Sequence, residues 1–287
     1  MKLCRHTKCL FIASLLCLQI ACATYNVTQR GLVRAVPDPV GAPQAAQSFA
    51  ALVALPEVIR IEREAGVSLH AVWLRQPDAT HTVLYFGGNM SRVSSVGPVV
   101  ARNLLPLGVN LMLVDHRGSG LSTGVPDIDT MEADALAAFD YLVTQKGIAP
   151  GSVVVQGHSL GSFLAGHVAQ QRKVAALVLT GSATTTEDWV AARIPWYYKP
   201  FVRTKIAPDL QGRGNLDVVK KLTVPLLLIV GEKDRQTPKS LSKALAKAAK
   251  DAGNPATLVI VKGAKHDDAP GSAVALKAFA DLLTRLR

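Results

Sequence analysis

The chain has 287 residues, of which 49% are hydrophobic, and a net charge of +11 at neutral pH. This length is sufficient for one domain with a large buried core. All four cysteines (Cys4, Cys9, Cys17 and Cys22) lie within the first 22 residues. The rest of the chain therefore cannot contain a thiolate nucleophile, an internal disulfide or a cysteine-ligated zinc site.

Residues 1–22 have the pattern of an export signal. Lys2, Arg5 and Lys8 precede an apolar run over residues 9–18, which is too short for a transmembrane helix. We therefore expect an exported bacterial protein whose mature chain begins near residue 22.

Two processing routes compete at the end of this signal. The sequence Ala21-Cys22-Ala23 has the small-x-small form that a general signal peptidase cleaves. Ala21-Cys22 also resembles the end of a bacterial lipobox, in which Cys22 would carry the lipid, although Gln19 stands where an aliphatic residue is usual. We favour the membrane-anchored lipoprotein over a periplasmic or secreted protein, and an uncleaved signal anchor is the third alternative.

The positive charge does not by itself indicate a nucleic-acid partner. Beyond residue 21 the chain has 29 basic and 21 acidic side chains, a net charge of +8. These are spread along the chain without a Lys/Arg block or interleaved aromatic residues. We predict a solvated basic surface and no nucleic-acid binding.

Apolar strand-like segments alternate with helical patterns over most of the chain. Residues 23–65, with four prolines, are predicted to form a tether and an irregular edge element. Over 66–287, strands are predicted at 67–74, 81–86, 110–114, 152–156, 174–180, 224–230 and 257–261, and helices at 131–145, from 159, at 238–249 and at 272–286. This order predicts an α/β fold with a mostly parallel central sheet flanked by helices.

The alternation stops at residues 182–215, where aromatic residues occur among prolines and basic residues. An insertion between two core strands is expected to form a small cap over the active site. Its aromatic side chains are candidates for a substrate pocket; alternatively, they only pack the cap onto the body. They are Trp189, Trp196, Tyr197, Tyr198 and Phe201.

The sequence Gly157-His158-Ser159-Leu160-Gly161 lies between an apolar strand and a helical pattern. In that context Gly-x-Ser-x-Gly is typical of a nucleophile elbow, in which a strand turns sharply into a helix and presents the serine. We predict that Ser159 is the nucleophile and that His158 is a packing or pocket-wall residue.

A serine nucleophile needs a base and an acid that orients the base. Asp234 and His266 follow two successive predicted strands, in the order Ser, Asp, His that this kind of fold uses. Both should lie at the carboxyl edge of the sheet, where active-site residues of parallel sheets collect. Glu232, Asp267 and Asp268 are lesser candidates for the acid.

Three further segments resemble the α/β-hydrolase superfamily across residues 66–287, and within it the small esterase-like proteins of the Bem46 and ABHD17 type. Residues 85–89 (YFGGN) are similar to the family's oxyanion loop. Residues 115–122 (DHRGSGLS) are similar to a segment that supports the active-site wall, and residues 224–234 to the strand that bears the acid.

The resemblance implies an oxyanion hole formed by the backbone amides of Asn89 and Leu160. Gly87 stands where the family has a histidine. Such a hole requires preorganised donors near the oxygen that becomes negative in the transition state.

These observations predict a serine hydrolase of the carboxylesterase or thioesterase type that acts through an acyl-enzyme and needs no metal or organic cofactor. The expected partner is a small-molecule acyl ester or thioester, preferred over peptides because the large additional domain of the oligopeptidase relatives is lacking. The alternative is a non-catalytic ligand-binding protein on the same fold, against which the intact Ser, Asp and His set argues.

Overall fold

The computed structural model describes residues 23–39, 49, 52, 56–64, 66–254 and 256–286. Their strands are β1 (Ala23–Val27), β2 (Glu57–Glu62), β3 (Ser68–Leu74), β4 (His81–Phe86), β5 (Val109–Val114), β6 (Val153–His158), β7 (Ala176–Thr180), β8 (Val202–Ile206), β9 (Leu226–Gly231) and β10 (Ala256–Val261). Their α-helices are α1 (Gln29–Leu32), α2 (Val93–Leu104), α3 (Ile128–Thr144), α4 (Leu160–Gln171), α5 (Thr186–Arg193), α6 (Leu216–Lys221), α7 (Lys239–Asp251) and α8 (Ala273–Arg285).

Eight of these strands form the central sheet in the order β10-β9-β7-β6-β4-β5-β3-β2. The pairs from β10 to β5 are parallel, and β3 pairs antiparallel with both β5 and β2. Strand β6 lies in the middle of the sheet, between β4 and β7. The loops that follow β6, β7, β9 and β10 consequently meet at one carboxyl edge.

Helices cover both faces of the sheet. On one face, α3, α4, α6 and α7 pack through apolar side chains that include Phe139 and Leu245. On the other face, α2 and α8 pack through side chains that include Val93 and Phe279. Complete burial of an aromatic or large aliphatic side chain stabilises a fold by about 1.5–3 kcal/mol. These two apolar layers therefore support the sheet, and with it the carboxyl edge, from both faces.

The predicted fold class, an α/β fold with a mostly parallel sheet flanked by helices, is confirmed. Helix α2 was not predicted, because Pro98 lies inside it and the preceding Gly97 is a poor helix former. Packing explains this glycine, since a Cβ at position 97 would lie 2.6 Å from Phe49 Cζ.

The sheet begins before the boundary expected at residue 66. Strand β2 forms its outer edge, with Ile59 and Ile61 buried and the other β2 side chains exposed, the alternation of a strand covered on one face only. Strands β3 and β4 follow each other along the chain but do not pair, because β5 lies between them.

The predicted export signal, residues 1–22 including Cys22, lies outside the described residues. Within the part of the chain that the structure describes, no helix combines the length and the apolar character needed to cross a bilayer.

The predicted cap at residues 182–215 contains α5, a 3₁₀ turn at Lys199–Phe201 and β8. Strand β8 pairs in parallel with β1, with Ala23 opposite Val202 and Val27 opposite Ile206. The beginning of the segment expected to be a tether thus lies against the cap as a two-stranded sheet.

Candidate active site

Ser159 lies on the sharp turn between β6 and α4. Its backbone has φ 53° and ψ −118°, a conformation that non-glycine residues rarely adopt. A Cβ at position 157 would lie 2.1 Å from the carbonyl oxygen of Gly161, and one at position 161 would lie 2.2 Å from that of Phe86. Both Gly157 and Gly161 must therefore lack a side chain for the turn to close, which is the physical reason for the motif.

Hydrogen bonds from three directions hold this turn. The Ser159 amide donates to Thr180 O at the end of β7 (2.8 Å). The Ser162 amide and hydroxyl both donate to Ser159 O, at 3.0 and 2.5 Å. Asn215 Nδ2, in the residue before α6, donates to Ser162 O (3.0 Å). The serine is thereby fixed relative to the middle of the sheet.

The side chains of Asp234 and His266 meet at the carboxyl edge, with Asp234 Oδ2 2.7 Å from His266 Nδ1. Both are buried. Asp234 Oδ1 accepts the amides of Gln236 and Thr237, each at 2.8 Å, and the Thr237 hydroxyl donates to Oδ2 at 2.9 Å. The structure thus brings together the acid and the base that the sequence predicted.

These contacts determine the charge of the acid. Burial raises the pKa of Asp234, but the hydrogen bonds from His266 and from the amide and hydroxyl of Thr237 outweigh burial, and the pKa lies below its usual value. The carboxylate is ionised at neutral pH and can hold a proton on His266 Nδ1.

The other carboxylates considered for this role have different partners. Glu232 and Asp268 accept hydrogen bonds from backbone amides of the surrounding loops. Asp267 bonds to the imidazole of the residue that precedes the nucleophile. Of the four acids, Asp234 is the one whose oxygen bonds to His266.

The base lies beside the elbow with its second nitrogen available. His266 Nε2 is buried and has no hydrogen-bond partner among the described residues. The ring lies against Gly181, where an added Cβ would be 2.7 Å from His266 Cε1. Gly181 follows the residue to which the Ser159 amide bonds. No hydrogen bond joins Ser159 Oγ to His266 in the described part of the chain; catalytic hydrogen bonds often form fully only with substrate.

A second histidine–aspartate pair lies next to the first. His158 Nε2 lies 3.1 Å from Asp267 Oδ1, and His158 Nδ1 lies 3.1 Å from Thr180 Oγ1. The hydrogen bond from His158 lowers the pKa of Asp267. The His158 and His266 ring centroids are 4.7 Å apart. His158 therefore ties the elbow to the loop that carries the base, a role that the sequence did not indicate.

The residues predicted for the oxyanion hole, Asn89 and Leu160, line the same cavity as Ser159. A Cβ on Gly88, the residue before Asn89, would lie 3.4 Å from Ser159 Cβ. Leu160 is the first residue of α4, so its amide has no partner within the helix. The Asn89 side chain points elsewhere, since its Nδ2 donates to Leu32 O (2.5 Å).

Buried polar residues form hydrogen bonds around residues 85–89, the segment predicted to be the oxyanion loop. His116 Nε2 lies 2.7 Å from Gly87 O and must donate, because a carbonyl oxygen only accepts. Burial lowers the pKa of His116, which favours the neutral imidazole with its proton on Nε2. Asp115 accepts the Val93 amide (2.7 Å) and lies 2.7 Å from His70 Nδ1. The sequence predicted support for the active-site wall from this segment, but not these contacts.

A cavity of about 930 Å³ connects the elbow to the cap. Ser159, Asn89 and Leu160 lie in its wall. Its apolar lining includes Phe163, Trp189, Val190, Ile194, Val202 and Leu210.

The cap's aromatic residues divide into two groups. Trp189 and Tyr198 line the cavity, and Trp189 Nε1 donates to Gln236 O (2.9 Å) in the loop that carries the acid. Trp196, Tyr197 and Phe201 are exposed and are not part of the lining. The interpretation as pocket residues thus fits the first group only.

His158 and His266, together with Asp267, are the group in the described ranges that could hold a metal ion. One ligand atom each from His158, His266 and Asp267 lie within 4.8 Å of one another. Since Asp234 and Asp267 already engage these imidazoles, a metal there would compete with the hydrogen bonds that orient the base.

Comparison with known proteins identifies the family. The model of the prolyl oligopeptidase family matches residues 128–284, a range that includes Ser159, Asp234 and His266. The predicted resemblance to α/β-hydrolases is confirmed.

Several curated relatives match parts of the chain. An uncharacterized protein of Mycobacterium tuberculosis is 33% identical over 162 residues, and the Bem46 protein of Schizosaccharomyces pombe is 27% identical over 165 residues; each match covers 56% of this chain and 54% of the relative. The chain thus spans about half the length of these relatives. The α/β-hydrolase domain-containing protein 17C of Xenopus tropicalis is 25% identical over 232 residues, 80% of this chain and 68% of that protein.

Solved structures share the fold. The esterase Pf2001 of Pyrococcus furiosus has a TM-score of 0.66 at 20% identity, over 87% of this chain and 98% of that one. A puromycin-hydrolyzing peptidase of M. tuberculosis has a TM-score of 0.57 at 17% identity, over 81% of this chain and 38% of that one. At these identities the likeness shows the fold alone.

Proposed function

Because the chain belongs to the prolyl oligopeptidase family of α/β-hydrolases, we propose that it is a serine hydrolase that cleaves carboxylic ester or thioester bonds through an acyl-enzyme. Ser159 is the nucleophile, His266 the base and Asp234 the acid. The observation that carries this proposal is the buried Asp234–His266 pair, 2.7 Å between Oδ2 and Nδ1, beside a serine held on a strained elbow.

In the first half of the reaction, Ser159 Oγ attacks the acyl carbonyl carbon while His266 Nε2 accepts the hydroxyl proton. Asp234 stabilises the imidazolium that forms. The carbonyl oxygen becomes negative and accepts hydrogen bonds from the Asn89 and Leu160 amides. His266 then gives its proton to the leaving atom, the oxygen of an ester or the sulfur of a thioester, as the bond from that atom to the acyl carbon breaks. The leaving group departs as an alcohol or a thiol.

In the second half, a water molecule replaces the leaving group. His266 accepts one water proton as the oxygen attacks the acyl carbon, and the tetrahedral intermediate collapses with return of that proton to Ser159 Oγ. The acid product leaves and the enzyme is restored.

The cavity supports an apolar acyl or alcohol group. Phe163, Trp189 and Val202 lie in its wall, and apolar pockets of several hundred Å³ bind hydrophobic ligands of that size. Arg213 donates to Glu132 (2.7 Å) and both residues line the cavity, so its lining also includes a charged pair.

A hydrolysis panel tests the proposal. We expect the wild type to hydrolyse p-nitrophenyl esters, with kcat/KM rising from acetyl to longer acyl chains as the apolar wall is filled. Absence of turnover for all esters and thioesters would contradict the proposal.

Peptide-like substrates are the second candidate, because the family model that matches the chain is that of the prolyl oligopeptidases. Aminoacyl-β-naphthylamides in the same panel separate the two. A higher kcat/KM for these amides than for any ester would assign the chain to peptidase activity, with the same three residues.

A further inference from the structure

The cap and strand β1, which pairs with it, together present exposed aromatic side chains, which we call the cap face. Its members are 40–80% exposed: Tyr25, Trp196, Tyr197, Tyr198 and Phe201. Three of them pack on one another, with ring centroids 5.8 Å apart for Trp196–Tyr197 and 4.6 Å apart for Tyr197–Tyr198. A clustered exposed apolar patch of this kind marks a surface that another phase or molecule covers.

Basic residues alternate with the aromatic residues of the cap face along the chain. Residues 193–206 contain four Lys or Arg residues and no acidic residue. Lys199, Arg203 and Lys205 are exposed and form no salt bridge with a carboxylate of the described residues. Tyr and Trp beside Lys and Arg are the composition of proteins that lie on the interface of an anionic membrane.

The cap face adjoins both the cavity mouth and the start of the folded chain. Tyr25 and Tyr198 are exposed and also line the cavity that contains Ser159. Strand β1 begins at Ala23, opposite Val202 of β8, directly after the predicted lipid-attachment residue Cys22. A lipid on Cys22 would therefore be attached one residue before the strand that pairs with β8.

We propose that the cap face docks on an anionic lipid bilayer and that the ester substrate passes from the membrane into the cavity beside Tyr25 and Tyr198 and so reaches Ser159. The docking part depends only on the surface described above; the substrate route rests on the proposed hydrolase function. Trp and Tyr side chains enter the interfacial layer, Lys199, Arg203 and Lys205 pair with lipid phosphates, and the cavity mouth faces the acyl chains.

Quenching of Trp196 fluorescence by brominated lipid tests the docking directly. The full chain, carrying Ser159→Ala so that no lipid is hydrolysed, is mixed with vesicles of phosphatidylcholine alone or with about one third phosphatidylglycerol. We expect quenching in the anionic vesicles, and its loss in Trp196→Phe. The double variant Lys199→Glu/Arg203→Glu should weaken the quenching titration at least tenfold, because each basic residue near an anionic surface contributes about fivefold.

Matched changes on α8, which packs on the opposite face of the sheet, are the controls. Val274 is 60% exposed and Arg285 is exposed, so Val274→Ser/Arg285→Glu should leave the quenching unchanged. A melting temperature within a few degrees of the wild type for each variant confirms that it has folded.

Three results would overturn the proposal. One is no quenching of Trp196 in a chain that sediments with the vesicles. The second is a loss of quenching in Val274→Ser/Arg285→Glu as large as that in Lys199→Glu/Arg203→Glu. The third is a lipid-free dimer that Trp196→Ser dissociates, since the cap face would then bind a second copy. These readings need no activity, so they remain decisive even if the wild type hydrolyses no ester.

Discussion

The catalytic edge of the sheet and the cap differ in how tightly their side chains are held. At the edge, Asp234 and His266 are buried and every polar contact of the acid is made. In the cap, most residues of β8 and of the turn before it are exposed. Under the proposed function, the groups that carry out the reaction lie on the buried edge of the sheet, while substrate selection and contact with the surroundings fall to the more exposed cap.

Loss of the nucleophile or base should have the largest effect. We expect Ser159→Ala and His266→Ala each to reduce kcat on a p-nitrophenyl ester by about 10⁴-fold or more, because the three groups act as a unit. The melting temperature should change little. Ser95→Ala, an exposed serine on α2, is the matched control and should retain full turnover. Substantial activity in Ser159→Ala would remove it from the mechanism.

Replacing the aspartate of each histidine–aspartate pair should show which pair takes part in the reaction. Asp234→Asn should reduce kcat by up to about 10⁴-fold because the amide cannot hold the same tautomer of His266. Asp267→Asn leaves the Asp234–His266 contact intact and should reduce kcat by at most about tenfold. Steady-state kinetics of both variants test the assignment, and a larger loss in Asp267→Asn would reverse it.

Two tryptophans test whether the aromatic residues of the cap divide into cavity-lining and surface residues. Trp189→Ala should raise KM for a long-chain p-nitrophenyl ester about tenfold, since a side chain in the cavity wall is removed, with a smaller change for the acetyl ester. Trp196→Ala is the matched control, since this residue is 80% exposed and is not part of the lining; it should leave both KM values unchanged in free solution. Equal effects would contradict the division.

The smallest effect concerns pH and stability. Burial lowers the pKa of His116 in the folded state, so the unfolded chain binds the proton more readily. The contribution of neutral His116 is complete above about pH 6.5, the unfolded value, and falls as the pH drops below it. We expect the wild-type melting temperature to fall on acidification through this range. His116→Gln, which keeps a donor for Gly87 O, should reduce that dependence; an unchanged slope would exclude His116 as its source.

The sequence was sufficient to place Ser159, Asp234 and His266 at the carboxyl edge because the signals for this placement are local. The close approach of backbone atoms requires glycine at positions 157 and 161, and Asp234 and His266 follow strands that are mostly apolar. Each of these signals lies within a few residues along the chain.

Contacts between distant segments could not be predicted in the same way. The pairing of β1 with β8 joins residues that are far apart along the chain, and the bond from His158 to Asp267 spans 109 positions. No periodicity or spacing records such pairings. Helix α2 was missed for the opposite reason, since the local preferences of Gly97 and Pro98 are overridden by packing on Phe49.

Labelling with a fluorophosphonate tests the central claim most directly, because the reagent reacts with a serine only when a base activates it. Intact mass and peptide mapping of the wild type should show one adduct, on Ser159, and its rate of formation should fall by orders of magnitude in His266→Ala. An adduct on another serine, no adduct, or an unchanged rate in His266→Ala would contradict the assignment of Ser159 and His266 as the reacting pair.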